Sequence, residues 1–286
     1  MRPETYAELL ECLSKGSHTI LAGGTDIYPG YVGKQVPGDI IDVTNIPDLS
    51  AIKENEDSWT IGATASWSDI ISAQLPVYFN GLKLAATEVG GKQIQNSGTI
   101  GGNICNASPA ADCVPPLLAL NAEVEVAGNA GKELIPLQEF ITGNRKTALQ
   151  ENQIVIGIHI KKKNTDNAYS HFLKLGARKY LVISIAMVSG VIETDETGLI
   201  TSAAVAVGAC SEVAQRLPGL EKDLSGELLS SSLGDTVKDR HFIGLSPIDD
   251  IRGSEDYRKE AAATLTRRML GELGGQNGRF LCKWTT

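Results

Sequence analysis

Apolar residues recur with helical spacing near both ends of the chain and predict an amphipathic helix at each end. The first stretch, residues 3–15, carries one apolar stripe and ends at Gly16, a residue that suits a helix terminus. The last, residues 255–273, follows Ser254, a favourable N-cap, and begins with acidic residues. The same spacing predicts helices over 67–74, 80–89 and 115–120, and a more polar helix near 225–237.

Short apolar runs between these helices predict β-strands. Before residue 161 they fall at 19–22, 39–43, 59–63, 123–126 and 153–160. Further strands are predicted at 170–174, 183–192 and 202–208, with a hairpin turn at 195–198. The lysine-rich stretch that begins at 161 is interpreted as a solvated linker between two domains. The pattern as a whole indicates a two-domain protein of helices and strands.

Residues 90–113 interrupt this pattern, because they are rich in Gly, Asn and Ser and show little periodicity. A long segment of this kind inside a compact domain is usually functional or disordered. Isolated Ile residues thread through it, so we interpret it as ordered but irregular.

Two glycine-rich segments carry the candidate chemistry, Leu21-Ala22-Gly23-Gly24-Thr25-Asp26 and Asn96 to Asn103. Glycine lets backbone N–H groups approach an anion closely, and successive N–H groups form nests that bind pyrophosphate. Neither segment has the spacing of a Rossmann fingerprint or a P-loop. Each alone is more often a simple turn, but the two together favour a dinucleotide-type ligand held between two facing nests.

Composition narrows the function further. The 286 residues carry a net charge of −8, which argues against nucleic-acid binding because phosphate backbones require a basic surface. The amino terminus has no apolar leader and no stretch reaches the ~18 apolar residues of a membrane helix, so we expect a cytoplasmic protein. Five scattered Cys and four scattered His predict neither disulfides nor a metal or iron–sulfur site.

No sequence pattern of self-contained catalysis is present, and we assign no catalytic residue and no metal ligand. Ser108, Asp112 and Cys113 lie close together, but no His accompanies them. Asp112 either accepts hydrogen bonds from a ligand hydroxyl or caps the helix that begins at Pro115, and the local sequence favours neither. Such a chain suits a protein whose chemistry resides in a cofactor.

A series of ordered motifs resembles the FAD-binding medium subunit of molybdenum hydroxylases, the family of xanthine dehydrogenase and carbon monoxide dehydrogenase. The motifs are AGGTD at 22–26, IGA at 61–63, TIGGNICNASPAAD at 99–112, PLLALNAEVEV at 116–126, FITGNRKTAL at 140–149, FLKLGAR at 172–178 and DIRGSEDYRKEAAATLTRRML at 250–270. The resemblance covers nearly the whole chain.

The resemblance implies an α+β fold. Residues 1–163 form a two-lobed, vanillyl-alcohol-oxidase-like FAD-binding domain of the PCMH type, with lobes of about 1–57 and 58–163 and FAD between them. Residues 167–286 form a smaller α+β domain with an antiparallel sheet.

It also implies site residues. Leu21 to Ile27 and Thr99 to Asn103 wrap the pyrophosphate, Ser108 and Asp112 hold the ribose and adenine, and Ile94 and Val155 line the cofactor. Lys174 lies near the flavin ring, although a solvated strand lysine would be the reading without the resemblance. The cofactor-binding residues implied are Leu21, Ala22, Gly23, Gly24, Thr25, Asp26, Ile27, Ile94, Thr99, Ile100, Gly101, Gly102, Asn103, Ser108, Asp112, Val155 and Lys174.

The implied function is electron transfer within a complex, an oxidoreductase whose molybdenum centre lies on another chain. A large molybdopterin subunit oxidises the substrate, a small subunit with 2Fe–2S clusters relays the electrons, and this chain passes them to NAD or another acceptor. A dimer of heterotrimers is the implied assembly. Relatives often carry an acidic residue after the position of Arg178, where this chain has Lys179, and Ser or Glu at the position of Asp26. The alternative is a self-contained flavin oxidoreductase of the same fold.

Overall fold

The computed structural model describes residues 1–16, 18–164, 166–179 and 181–275; Tyr180 and Cys282 lie outside these ranges. The α-helices are α1 (Tyr6–Leu13), α2 (Ile27–Gly30), α3 (Trp67–Ser72), α4 (Asn80–Glu88), α5 (Lys92–Ser97), α6 (Ile100–Asn106), α7 (Val114–Ala119), α8 (Leu137–Phe140), α9 (Pro218–Leu224) and α10 (Glu255–Gly275). The strands are β1 (His18–Leu21), β2 (Asp39–Asp42), β3 (Ile52–Glu54), β4 (Ser58–Gly62), β5 (Glu123–Gly128), β6 (Gly131–Pro136), β7 (Ile141–Gly143), β8 (Lys146–Thr147), β9 (Ile154–Lys161), β10 (Ala168–Gly176), β11 (Ser184–Thr194), β12 (Ile200–Gly208) and β13 (Gln215–Arg216). Single 3₁₀ turns occur at Pro47–Leu49, Val77–Phe79, Leu233–Thr236 and Asp239–Phe242.

The chain divides into two compact units that interleave along the sequence. Unit 1 comprises residues 1–73, 90–108 and 121–162, and unit 2 comprises residues 74–89, 109–120 and the chain from 163 onward. Two segments from the amino-terminal half, which carry α4 and α7, therefore fold with the carboxy-terminal sheet. The predicted boundary near 163 lies where the chain passes from unit 1 to unit 2 for the last time. The division of residues 1–163 into lobes of about 1–57 and 58–163 stays a prediction.

Unit 1 contains a five-stranded antiparallel sheet with the strand order β3-β4-β9-β5-β6, and β1 and β2 form a separate parallel pair. The core joins α1, through Leu9 and Leu13, to Ile41 of β2 and Ile154 of β9. The first helix begins at Tyr6 rather than at residue 3, because the Thr5 hydroxyl accepts a hydrogen bond from the N–H of Glu8, 3.2 Å away.

Unit 2 contains a four-stranded antiparallel sheet with the order β10-β11-β12-β13. The predicted hairpin is confirmed, since β11 and β12 pair across residues 195–199 and Gly198 takes a left-handed φ of +86°. The long helix α10 places Met269, Leu270 and Leu273 in the core of this unit. Its first turn is capped by Ser254, whose hydroxyl accepts from the N–H of Tyr257 at 3.2 Å. No described helix is long and apolar enough to cross a membrane.

Two predictions about local structure were wrong. The polar helix expected near 225–237 lies instead at Pro218–Leu224, where Pro218 occupies the first helical turn; Gly226, with a φ of +85°, follows the helix end. The irregular segment 90–113 contains two short helices, α5, which has no glycine, and α6, which includes Gly101 and Gly102. Glycine lowers the helix propensity of α6, and helices of 6 and 7 residues are too short for apolar spacing to recur, so the sequence pattern gave no indication of either helix.

Candidate cofactor-binding site

The first glycine-rich segment follows β1 and leads into α2. Gly24 has a left-handed φ of +66°, and a Cβ atom at this position would lie 2.4 Å from the ring of Tyr28. Among the described residues, none accepts a hydrogen bond from the backbone N–H groups of Gly23 through Asp26. A run of successive free donors next to a left-handed glycine is the arrangement that binds oxyanions. This segment is therefore a nest suited to a pyrophosphate.

The second glycine-rich segment begins α6 and differs from the prediction. Thr99 is the N-cap, and its hydroxyl accepts from the N–H of Gly102 at 3.1 Å. The N–H groups of Ile100 and Gly101 donate to the carbonyls of residues 65 and 63, and that of Asn103 donates to the Thr99 carbonyl. Because all four donors are used within the protein, the predicted pair of facing nests is reduced to one nest beside a capped helix.

The two segments nevertheless meet. A Cβ atom on Gly23 would lie 1.8 Å from the carbonyl oxygen of Ser97 and 3.1 Å from the Cα atom of Gly98. Only glycine allows this approach of one backbone to the other. The sequence separates Gly23 from Ser97 by more than seventy positions, and the fold brings both glycine-rich segments into direct contact.

A third segment, residues 63–67, completes the arrangement and was given no role from the sequence. Its backbone accepts hydrogen bonds from residues 100 and 101, and Ser66 forms an isolated bridge with Thr99. The hydroxyl of Thr64 is buried without a hydrogen-bond partner among the described residues, and so is the side-chain oxygen of Asn103. The IGA motif at 61–63 overlaps this segment and was the one signal for it.

These features fit the pyrophosphate and sugar hydroxyls of a dinucleotide. Buried polar groups without partners carry a substantial energetic cost and often mark a ligand that satisfies them. Thr64 and Asn103 supply a hydroxyl and an acceptor oxygen, and the nest supplies backbone donors. At Gly102, a Cβ atom would meet only the Thr99 hydroxyl, at 2.8 Å, so this edge of the helix is otherwise open.

The remaining predicted residues of unit 1 are placed differently. Ile94 lies on α5 and is 38% exposed, as are many large apolar residues of this chain, so it is accessible to a ligand. Val155 lies within β9, is 4% exposed and pairs with Val126, so its side chain is part of the sheet's packing. Ser108 is half-buried at the end of this unit's second segment. The residues predicted from 21 to 27 are half-buried, except that Gly24 is buried and Asp26 is exposed.

Asp112 and Lys174 both belong to unit 2 and form a buried ion pair. The Lys174 ammonium lies 2.7 Å from Asp112 Oδ2, and the two side chains are 6% and 10% exposed. The hydroxyl of Ser184 donates to the other carboxylate oxygen. Burial raises the pKa of Asp112, while Lys174 and Ser184 oppose that rise.

This pairing decides two questions that the local sequence had left open. Lys174 is not a solvated strand lysine. Asp112 is not a helix cap, because α7 is preceded by Cys113, with no side-chain hydrogen bond at the cap. The charges of this pair also act on a second carboxyl, that of Glu88. Burial raises the pKa of Glu88, the Lys174 ammonium lowers it, and the Asp112 carboxylate raises it. Within the described ranges, no group of three or more His, Cys, Asp or Glu residues is arranged to hold a metal ion.

The two matched regions of the chain correspond to two known families. Residues 1–162 match the FAD binding domain in molybdopterin dehydrogenase, and residues 171–273 match the CO dehydrogenase flavoprotein C-terminal domain. The nicotine 6-hydroxylase medium subunit of Paenarthrobacter nicotinovorans is 29% identical, with 96% of each chain covered. The xanthine dehydrogenase FAD-binding subunit of Escherichia coli O157:H7 is 25% identical, over 95% of this chain and 94% of that one.

Solved structures agree with this assignment. A carbon monoxide dehydrogenase from Hydrogenophaga pseudoflava, which lacks the Mo-pyranopterin moiety of its cofactor, contains a chain that is 25% identical, with a TM-score of 0.83 over 94% of each chain. A chain of the reconstituted CO dehydrogenase from Oligotropha carboxidovorans has the same fold, with a TM-score of 0.86 over 96% of each chain. The chain therefore belongs to the family of FAD-binding medium subunits of molybdenum hydroxylases, the oxidoreductases of the carbon monoxide dehydrogenase and xanthine dehydrogenase type.

Proposed function

We propose that this chain is the electron-transfer subunit of a molybdenum hydroxylase complex. It would receive electrons from 2Fe–2S clusters on a small partner subunit and pass them to NAD or another acceptor, while a large molybdopterin subunit oxidises the substrate. Support comes from the family, whose members are medium subunits of such hydroxylases and dehydrogenases. A dimer of heterotrimers is the assembly we expect.

The observation that carries the proposal is the nest from Gly23 to Asp26, which meets the second glycine-rich segment through the Gly23–Ser97 contact. In our proposal, these free N–H groups bind the pyrophosphate, and Thr64 and Asn103 satisfy their buried polar atoms on the ligand's oxygen atoms and hydroxyls. Ile94 offers an exposed apolar surface to the cofactor. When bound, FAD supplies the capacity to accept two electrons and to exchange them singly.

In unit 2, the proposed contribution is the ammonium end of the buried Lys174–Asp112 ion pair, in which the carboxylate offsets much of the positive charge. Lys174 is buried and held by Asp112, so its position is determined rather than mobile. The ammonium end of such a pair stabilises negative charge placed on its side, because low-dielectric surroundings screen the interaction weakly. That Lys174 lies beside the flavin, and that Asp112 and Ser108 hold the ribose and adenine, stay predictions. The proposed functional domains are residues 1–163 and 167–286.

The experiment is an anaerobic titration of the complex that copurifies with the tagged chain. Acid extraction identifies the flavin, and elemental analysis measures molybdenum and iron. The enzyme is then reduced with a limiting amount of dithionite, and the return of the flavin absorbance is followed after NAD is added. Reoxidation by NAD identifies it as the acceptor, and reoxidation by a quinone or dioxygen identifies another.

Two results would contradict the proposal. A complex without molybdenum and iron, in which the chain alone oxidises a reductant, would favour the self-contained flavin oxidoreductase. A complex that contains the metals but no flavin would contradict the role of this chain in carrying FAD.

A further inference from the structure

Arg145 joins parts of unit 1 that are distant in sequence. It lies in the turn between β7 and β8, and its guanidinium donates to Asp26 Oδ2 at 2.6 Å. The same guanidinium nitrogen donates to the side-chain oxygen of Asn106, the last residue of α6. One side chain therefore links the loop that contains the nest to the helix that begins with the second glycine-rich segment.

The backbone at this point is held in an uncommon conformation. Arg145 has a left-handed φ of +59°, and its N–H donates at 2.9 Å to the carbonyl of Ala107. Ala107 itself has a φ of +46° at the end of α6. Left-handed conformations are strained for residues other than glycine and persist where surrounding contacts enforce them. The turn between β7 and β8 is thus fixed against the end of α6. This position directs the Arg145 side chain towards the loop that contains Asp26.

Arg145 is poorly placed to stabilise the fold as a whole. The side chains of Arg145 and Asp26 are 57% and 59% exposed, and exposed ion pairs contribute little to the free energy of unfolding. The loop that they fix is in a different situation, because no described residue accepts a hydrogen bond from the N–H groups of Gly23 through Asp26. Without a clasp, ordering those groups around a ligand costs conformational entropy at the moment of binding.

We propose that Arg145 is a positioning residue for FAD. It holds the loop that contains the nest, residues 23–26, against α6 through Asp26 and Asn106, and this link is called the clasp. The inference rests on the proposed binding of FAD by this loop. The clasp also neutralises the carboxylate of Asp26, which would otherwise repel a dianionic pyrophosphate beside it. One terminal guanidinium nitrogen of Arg145 carries two N–H groups, which allows it to donate to both oxygen acceptors at once.

The test is a fluorescence titration of the full-length chain with FAD, carried out on the wild type and on five variants. Arg145→Gln removes the charge, and Arg145→Lys keeps it; both are unbranched and meet the left-handed backbone with a similar penalty. Asp26→Asn removes the other partner, alone and combined with Arg145→Gln. The matched control is Lys146→Gln, which removes the same charge from the same hairpin. Urea unfolding without FAD is measured for each.

We expect Arg145→Gln to weaken FAD binding about tenfold, because the loop is no longer held to α6 and must be ordered when FAD binds. Arg145→Lys restores part of the affinity, the double variant binds no more weakly than Arg145→Gln, and the urea midpoints stay near that of the wild type. Lys146→Gln binds like the wild type. Such non-additivity is expected when two residues act through one interaction.

Several outcomes would overturn the proposal. Equal losses in Arg145→Gln and Lys146→Gln indicate general electrostatic attraction. Tighter FAD binding by Asp26→Asn indicates that Arg145 acts on the ligand directly, without a clasp. A loss of affinity matched by a loss of stability indicates a structural role. If the wild-type chain and its complex bind no FAD, the proposed function fails instead, which separates the two failures.

Discussion

Substituting Gly23 with Ala tests the contact on which the proposed site depends. The added Cβ atom would lie 1.8 Å from the Ser97 carbonyl oxygen and 2.6 Å from the Ser97 carbonyl carbon. Carbon and oxygen atoms in close contact are usually about 3.3 Å apart, so the loop must retreat by roughly 1.5 Å. Both atoms on the Ser97 side belong to the backbone, which cannot rotate away as a side chain can. The nest and the second segment therefore separate.

The cost can be estimated from overpacked sites in other proteins. Forcing an extra methyl group into a closed contact costs about 1–3 kcal/mol of folding free energy. We expect Gly23→Ala to lower the free energy of unfolding by that amount and to abolish stoichiometric FAD binding, because the donors no longer face the ligand.

Urea unfolding and FAD fluorescence titration measure the two effects. Gly30→Ala is the matched control, since it lies seven residues further along, has no positive φ, and its added Cβ meets no heavy atom within 4 Å. The reasoning is refuted if Gly23→Ala binds FAD and unfolds like the control.

Three further predictions concern other parts of the molecule. Gly102→Val should weaken FAD binding while leaving the chain folded, because the open edge of α6 becomes occupied; full flavin occupancy of the variant would contradict the placement of the cofactor. Asp112→Asn should lower the free energy of unfolding by about 3–5 kcal/mol, because it leaves the Lys174 ammonium buried without a counter-charge. The double variant Asp112→Asn, Lys174→Met should recover most of that loss. An Asp112→Asn chain that unfolds at the same urea concentration as the wild type would contradict this prediction. Burial would raise the pKa of Asp250, but hydrogen bonds from Arg252 and Arg258 lower it to about 2, below its ordinary value of 3.8. The stability that Asp250 contributes is thus present above pH 3.8 and lost as the pH falls towards 2. The free energy of unfolding of Asp250→Asn should therefore lack this loss between pH 3.8 and 2. Identical acid unfolding profiles of the variant and the wild type would exclude this contribution of Asp250.

Elements with strong periodicity could be predicted from the sequence. The stripe of α10 and the β11–β12 hairpin follow from apolar spacing and from Gly198, because the same residues that set the pattern make the contacts. The prediction of a polar helix near 225–237 was wrong, because a segment of mainly polar residues does not specify which face is buried.

Features that depend on tertiary contact could not be read from the linear pattern. Residues 74–89 and 109–120 fold as part of unit 2, which places α4 against β10. There, the N–H of Gly81 donates to the Ser170 hydroxyl at 2.8 Å. Nothing local to either residue signals that partner. The burial of Lys174 has the same origin, because a lone lysine in a strand is usually solvated and only its distant partner Asp112 makes burial tolerable.

The candidate site shows both limits. The glycine-rich segments identified the nest from 23 to 26, but the sequence could not show that the donors of residues 100–103 are used within the protein. The motifs by which the chain resembles its family supplied the cofactor, which spacing alone did not. Arg145 lay within one of those motifs, yet its link to Asp26 spans 119 positions and depends on two left-handed residues.

The flavin content of the purified protein shows whether this chain holds FAD where its two glycine-rich segments meet. The tagged chain, with any subunits that copurify, is gel-filtered after incubation with FAD, acid-extracted, and its flavin identified and counted against the chain. We expect about one FAD for each chain in the wild type and in Gly30→Ala, and little in Gly23→Ala. Absence of flavin from both the chain and its complex would contradict it, and so would full occupancy in Gly23→Ala.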